Sequence, residues 1–169
     1  HKWTPILIQD VAEIQSAFLS GRCDAYSTDA SSLAAFRFVQ GDKKDDLVLL
    51  PEIISKEPLG PVVRKGDDKW FDLVRWTMFV LVIGEELGVT QANVDSFKDS
   101  KVPDIRRLLG MEGDLGKGLG VDNTFGAAII KAVGNFGETW ERSITPMVVP
   151  RGINNLWTKG GLQYAPPMR

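Results

Sequence analysis

Gly21-Arg22-Cys23-Asp24-Ala25-Tyr26-Ser27-Thr28-Asp29 is the stretch on which the fold turns. It opens on a glycine, passes through six residues that read as a strand, and ends on an aspartate at the head of a helical pattern. Just upstream, Pro5-Ile6-Leu7-Ile8 is a short apolar run of strand type. Asp10-Val11-Ala12-Glu13 then has the form of a capping box, in which the aspartate accepts an orphan amide and the glutamate reaches back. Val11, Ile14, Phe18 and Leu19 follow at helical spacing. Gly21 falls where a left-handed terminator belongs. After Asp29 a second helix runs through Ser31, Ser32, Leu33, Ala34, Ala35 and Phe36. Strand, helix, strand in this order predicts parallel pairing with a right-handed crossover.

Beyond this unit the chain changes character. Gly41-Asp42-Lys43-Lys44-Asp45-Asp46 is a charged run that reads as a solvated loop. Leu47-Val48-Leu49-Leu50 is a buried-type strand stopped by Pro51, and a second extended stretch covers residues 59–63. Two extended pieces with no helix between them fit a chain crossing between two lobes, or a hairpin. From about Asp67 onward the pattern is nearly all helical. A long helix is predicted from about Lys69 to Leu87, ended by Gly88. Thr90 and Ser100 read as N-caps of two further helices, with Pro103 near the start of the second. Residues 110–120 carry five glycines and read as loop. Residues 122–133 and 136–143 read as helices broken at Gly134-Asn135. No internal repeat is visible, and the fold class is α/β.

Composition excludes several chemistries. Twenty Lys and Arg against 22 Asp and Glu leave a net charge of −2, so there is no electrostatic case for nucleic acid. The single Cys cannot close an intrachain disulfide, and the single His, at position 1, leaves no internal imidazole for a catalytic triad or a zinc site of ordinary spacing. Met78-Phe79-Val80-Leu81-Val82-Ile83, the longest apolar run, is far short of the roughly 20 residues that span a bilayer. The chain begins His1-Lys2-Trp3 without an initiator Met, which raises the expectation that a signal peptide and more have been removed upstream.

Four features invite a functional reading and are weighed against duller ones. Gly116-Lys117-Gly118-Leu119-Gly120 fails as a phosphate loop: Met111 stands where the first glycine belongs, and Gly118 where a Ser or Thr belongs. It reads as a flexible connector. Trp70, Trp76, Trp140 and Trp157 lack the basic groove of a stacking platform and read as core. Cys23 has no basic partner to activate it and reads as a small buried hydrophobe, or as half of a disulfide to a cysteine outside this chain. Asp29 stands where a strand runs into a helix N-terminus, the place where ligands gather in open α/β sheets. A carboxylate there either accepts charge-assisted hydrogen bonds from a ligand ammonium or merely caps the helix. Asp24, five residues earlier, points to the opposite face of a strand, so no acid–base pair is indicated.

Gly21-Arg22-Cys23-Asp24-Ala25-Tyr26-Ser27-Thr28-Asp29 resembles the Gly-Arg-x-Asp-Ala-x-x-x-Asp signature of type II periplasmic solute-binding proteins for polar amino acids, which serve ABC importers. Leu50-Pro51-Glu52-Ile53-Ile54-Ser55-Lys56-Glu57-Pro58-Leu59-Gly60-Pro61, Arg64-Lys65-Gly66-Asp67-Asp68 and Gly160-Gly161-Leu162-Gln163-Tyr164-Ala165-Pro166-Pro167 resemble the general L-amino-acid-binding subfamily. The resemblance implies a two-lobed α/β fold that closes on its ligand by a hinge, of which this chain is the carboxyl-terminal half with a helical carboxyl-terminal extension. It implies that residues 1–51 end the smaller ligand-binding lobe and that residues 52–169 complete the larger one. It further implies that Asp29 binds the ligand's α-ammonium and that Thr28 lines the pocket beside it. The family's Arg clamp for the α-carboxylate comes from the other half, and no residue here is assigned to it.

The implied function is non-catalytic: binding of L-amino acids in the periplasm and delivery to the membrane permease subunits of an ABC importer. No cofactor, metal, nucleic acid or membrane insertion is expected. An enzyme is disfavoured for want of an activated nucleophile or an internal His. The alternative is a severed half that binds no ligand and self-associates through surfaces the other half would cover.

Overall fold

The computed structural model describes residues 2–169, so His1 and any role for its imidazole lie outside the described residues. Contacts divide the chain into two compact units, His1–Glu57 and Pro58–Arg169.

In the first unit, helix α1 (Val11–Leu19) begins where the Asp10 carboxylate accepts the Glu13 amide at 2.9 Å. It ends in a Schellman motif. The Arg22 amide donates to the Ala17 carbonyl and the Gly21 amide to the Phe18 carbonyl. This closure needs the left-handed φ of 75° that Gly21 supplies without Cβ strain. Helix α2 (Ala30–Phe38) follows. Buried Ala17, Ala34 and Phe36 form the small core between the helices. Phe18 and Tyr26 pack on the Phe36 ring and on each other with centroids 5.6–6.1 Å apart, so Tyr26 anchors the intervening segment. Gly41–Asp46, expected to be loop, is a 3₁₀ helix. The Arg37 side chain holds it, donating to the Lys44 carbonyl at 2.9 Å and pairing with Asp45 at 3.7 Å.

The expected strands are corrected. Among the described residues no β-ladder forms, and the one bridge joins Leu156 to Gln163. Residues 5–8 do not pair with residues 23–28, and residues 47–50 and 59–63 also lie unpaired. Strand composition expresses fitness for a pleated, half-buried surface, and it forms a strand only where a neighbour takes up the backbone donors and acceptors. Among the described residues no such neighbour is present, and Leu7, Val48, Leu50, Leu59 and Val62 are all more than two-thirds exposed.

The second unit is built on helix α3 (Asp68–Glu86), capped by Asp67 through the Trp70 amide at 3.1 Å and stopped by Gly88. Helices α4 (Pro103–Leu108), α5 (Leu115–Leu119), α6 (Phe125–Val133) and α7 (Phe136–Ser143) pack around it. Val80, Val89, Leu108, Ile130 and Leu156 are essentially free of solvent and centre the core. Gly84 allows α3 and α6 to meet closely: a Cβ there would stand 2.9 Å from the Ile130 Cδ1. The break before α7 is a complete capping box, with Asn135 and Glu138 each holding the other's backbone amide. Asn135 also donates from its buried amide to the Val89 carbonyl, at 2.9 Å.

Some local readings shift. Thr90 and Asn93 exchange side chain–backbone bonds and lead into a 3₁₀ helix, Val94–Phe97, whose N-cap is Asn93. Ser100 accepts the Val102 amide, but Val102 itself occupies the cap of α4, with Pro103 at the first position. Helix α6 begins at Phe125 because the Asp122 carboxylate engages the Thr124 amide and hydroxyl in a turn. The glycine-rich stretch 110–120 is not a flexible connector. Asn123 accepts the Gly116 amide at 3.1 Å and donates to the Gly110 and Gly113 carbonyls at 2.9 Å, winding the glycines around one side chain. Gly116 is required there by the close approach of the Asn123 backbone, 2.5 Å from an added Cβ. Trp70 and Trp157 are half exposed rather than core, and Trp76 is partly buried against the core.

Candidate functional site

The site residues read from the sequence lie together at the head of α2. The Schellman turn and the Tyr26 anchor deliver residues 23–29 to that point. Asp29 is the N-cap of α2 by position, with φ −56° and ψ 141°, and its carbonyl accepts the Leu33 amide at 2.9 Å. Its carboxylate makes no capping hydrogen bond, unlike those of Asp10 and Asp67 at the heads of α1 and α3. The side chain is half-buried. Thr28, at a bend, is exposed beside it. A carboxylate at a helix head, held by its backbone and free of a cap, is disposed to accept hydrogen bonds from a cation. Cys23, half-buried, is a free thiol.

Other chemistries are poorly supplied. Among the described residues no group of three or more His, Cys, Asp or Glu could hold a metal ion. No described helix is long and apolar enough to cross a membrane.

Sequence reasoning missed the ion pair that ties the tail to α3. The Glu85 carboxylate, 9% exposed, accepts two bonds from the Arg151 guanidinium at 2.6 and 3.0 Å. That guanidinium lies over the Phe136 and Trp140 rings, 5.4 and 5.8 Å from their centroids. Lys159 approaches the same carboxylate at 3.8 Å. The two partners are 66 residues apart, so no local pattern announces them. Their role is structural: they fasten the 3₁₀ tail against α3.

Comparison with known proteins places these features. No protein-family model matches the chain. It is 50% identical, over 99% of its length, to the general L-amino acid-binding periplasmic protein AapJ of Rhizobium johnstonii. It is 53% identical, again over 99% of its length, to the glutamate/glutamine/aspartate/asparagine-binding protein BztA of Rhodobacter capsulatus. In each case the match covers 50% of the relative, so the chain spans about half the length of the curated relatives it matches. Among solved structures, a periplasmic binding protein of an ABC transporter from Brucella ovis, with glutathione bound, superposes with a TM-score of 0.91 at 51% identity. That match covers 98% of this chain and 53% of the solved one. The unpaired extended segments thus belong to a fold shared with about half of a larger solute-binding protein.

Proposed function

We propose, with homology to amino-acid-binding periplasmic proteins of ABC transporters as the premise, that the chain is the carboxyl-terminal half of a periplasmic receptor for L-amino acids. The whole protein would be about twice as long, and would deliver its ligand to an ABC-type importer without chemical change. The observation that carries this reading is roughly 50% identity across essentially all 169 residues, together with near-superposition on a solved relative. On this reading residues 1–51 end the smaller lobe of a two-lobed type II fold and residues 52–169 complete the larger.

Asp29 is the ammonium ligand and Thr28 lines the pocket near the ligand side chain. A zwitterion taken out of water needs an anion for its ammonium and a cation for its carboxylate. The uncapped Asp29 carboxylate supports the first role. The second falls to the other half of the protein. The relatives' named ligands and glutathione share one feature, an α-ammonium beside an α-carboxylate, carried in glutathione by its γ-glutamyl end. A receptor that grips that pair tolerates varied side chains.

Calorimetric titration of the full-length protein tests the reading. Glutamate, glutamine, aspartate, asparagine and glutathione form the panel. One-to-one binding of several members is expected. Absence of binding to all five would contradict it, as would turnover of any.

A second reading concerns the 169 residues by themselves, as a half-chain that binds no amino acid and self-associates. It is favoured by Ile53, Ile54, Leu59 and Val62, all at least 71% exposed. Sedimentation of the isolated chain distinguishes a monomer from a concentration-dependent assembly.

A further inference from the structure

The Asp29 carboxylate makes no capping bond of its own, so the chain on either side of it decides where the charge stands. On the carboxyl side, its carbonyl accepts the Leu33 amide at 2.9 Å, which ties it to the first turn of α2. On the amino side, the nearest backbone hydrogen bond among the described residues runs from the Arg22 amide to the Ala17 carbonyl. Between these two points the chain is tethered by a ring. Tyr26 stands edge to face against Phe36, with centroids 5.6 Å apart and planes at 88°. It is tilted against Phe18 at 6.1 Å. Phe36 is buried and lies in the last turn of α2. Helix α2 therefore holds Asp29 from both sides: its first turn takes the carbonyl, and its last turn takes Tyr26. Three residues separate Tyr26 from Asp29, at most about 11 Å of chain.

We infer that Tyr26 is a positioning residue of the ammonium site, acting on the ligand through Asp29. This rests on the reading that Asp29 receives the ammonium. A charge-assisted hydrogen bond weakens steeply as its length and angle leave the optimum, so a carboxylate free to drift loses much of its grip. An edge-to-face ring pair has a preferred separation and tilt, which an aliphatic side chain of similar volume does not reproduce. Phe18 closes the triangle from α1, 6.1 Å from Phe36, so the Tyr26 ring cannot slide along α2 without parting from α1. The contacts are made by the ring, and phenylalanine can supply them. Loss of the tether falls mainly on the ammonium, whose one mapped partner is Asp29.

Calorimetric titration of the full-length protein with L-glutamate and with glutarate, its analogue without the amino group, tests the inference. In Tyr26→Leu the preference for glutamate should fall by about 10-fold, and in Tyr26→Phe it should stay within about 2-fold of wild type. In the Asp29→Ala background, Tyr26→Leu should change the preference by less than about 2-fold, because both substitutions act on one interaction. Denaturant unfolding checks that each variant is folded. Should Tyr26→Leu fail to fold, Phe18→Leu parts the triangle from the α1 side and carries the same expectation. An undiminished preference in the folded variant overturns the inference. So does an equal loss of affinity for both ligands, which makes Tyr26 a structural residue only, and so does a loss of preference that persists without Asp29. Wild type that binds no glutamate contradicts the receptor reading instead, so the two failures are told apart.

Discussion

Replacing Asp29 by alanine in the full-length protein should divide affinity from stability. At a working N-cap, removing the side chain costs about 1 kcal/mol, through the hydrogen bond to the first turn. Asp29 makes no such bond, so only the attraction between its charge and the helix N-terminus is lost. That effect is at most about 0.5 kcal/mol at a half-solvated site. For the ligand the arithmetic is different. An ammonium left in a closed cleft without its carboxylate loses a charge-assisted hydrogen bond and keeps its desolvation cost, about 2–5 kcal/mol together. The dissociation constant for L-glutamate should therefore rise by about 30-fold or more. Calorimetry gives the affinity, and denaturant unfolding of the unliganded protein gives the stability. A variant that unfolds about 1 kcal/mol more easily yet binds as tightly as wild type would refute the reasoning and make Asp29 a cap.

Three further outcomes follow from the packing. Glu85→Ala strands the Arg151 guanidinium over the Phe136 and Trp140 rings and should cost about 3 kcal/mol by denaturant midpoint, while replacing both partners with methionine should restore most of it. Asn123→Ala removes three bonds that wind residues 110–120 and should cost about 2 kcal/mol, with new proteolytic cleavage confined to that stretch. Asp95, on the surface, is held below the ordinary carboxylate value of 3.8, first by its hydrogen bond from Lys131 and then, against slight desolvation, by the charges of Lys131 and Lys98. A depressed folded-state pKa gives stability that is present above the unfolded value and lost as pH falls through the folded one. Acidification from pH 5 to below 3.8 should therefore cost wild type more than Lys131→Met, read from unfolding midpoints.

Local rules made the helices legible. Helix α1 spans Val11–Leu19, as its cap, periodicity and terminating glycine require, and α7 spans Phe136–Ser143 behind its capping box. Both are set by residues within four positions of one another. The strands were legible as composition and not as structure, because pairing depends on a neighbour that the sequence segment does not itself contain. The glycine-rich stretch misled for a related reason. Glycine's freedom suggests a loop, but Asn123, seven residues beyond Gly116, supplies the bonds that fix it. Trp70 reads as core for want of a basic groove beside it, whereas it is half exposed and borders an open apolar groove. At the candidate site the position of Asp29 was readable. Its carboxylate is uncapped, where those of Asp10 and Asp67 are engaged, and no sequence pattern distinguishes the three.

The central claim is that Asp29 receives the ammonium of an amino acid, and the most direct test removes each partner in turn. Full-length wild type and Asp29→Ala are each titrated with L-glutamate and with glutarate, the same skeleton without its amino group. Wild type should prefer glutamate by about 30-fold or more, and the variant should lose most of that preference, because the two deletions remove one interaction. An undiminished preference for glutamate in the variant would show that the ammonium is bound elsewhere and would contradict the account.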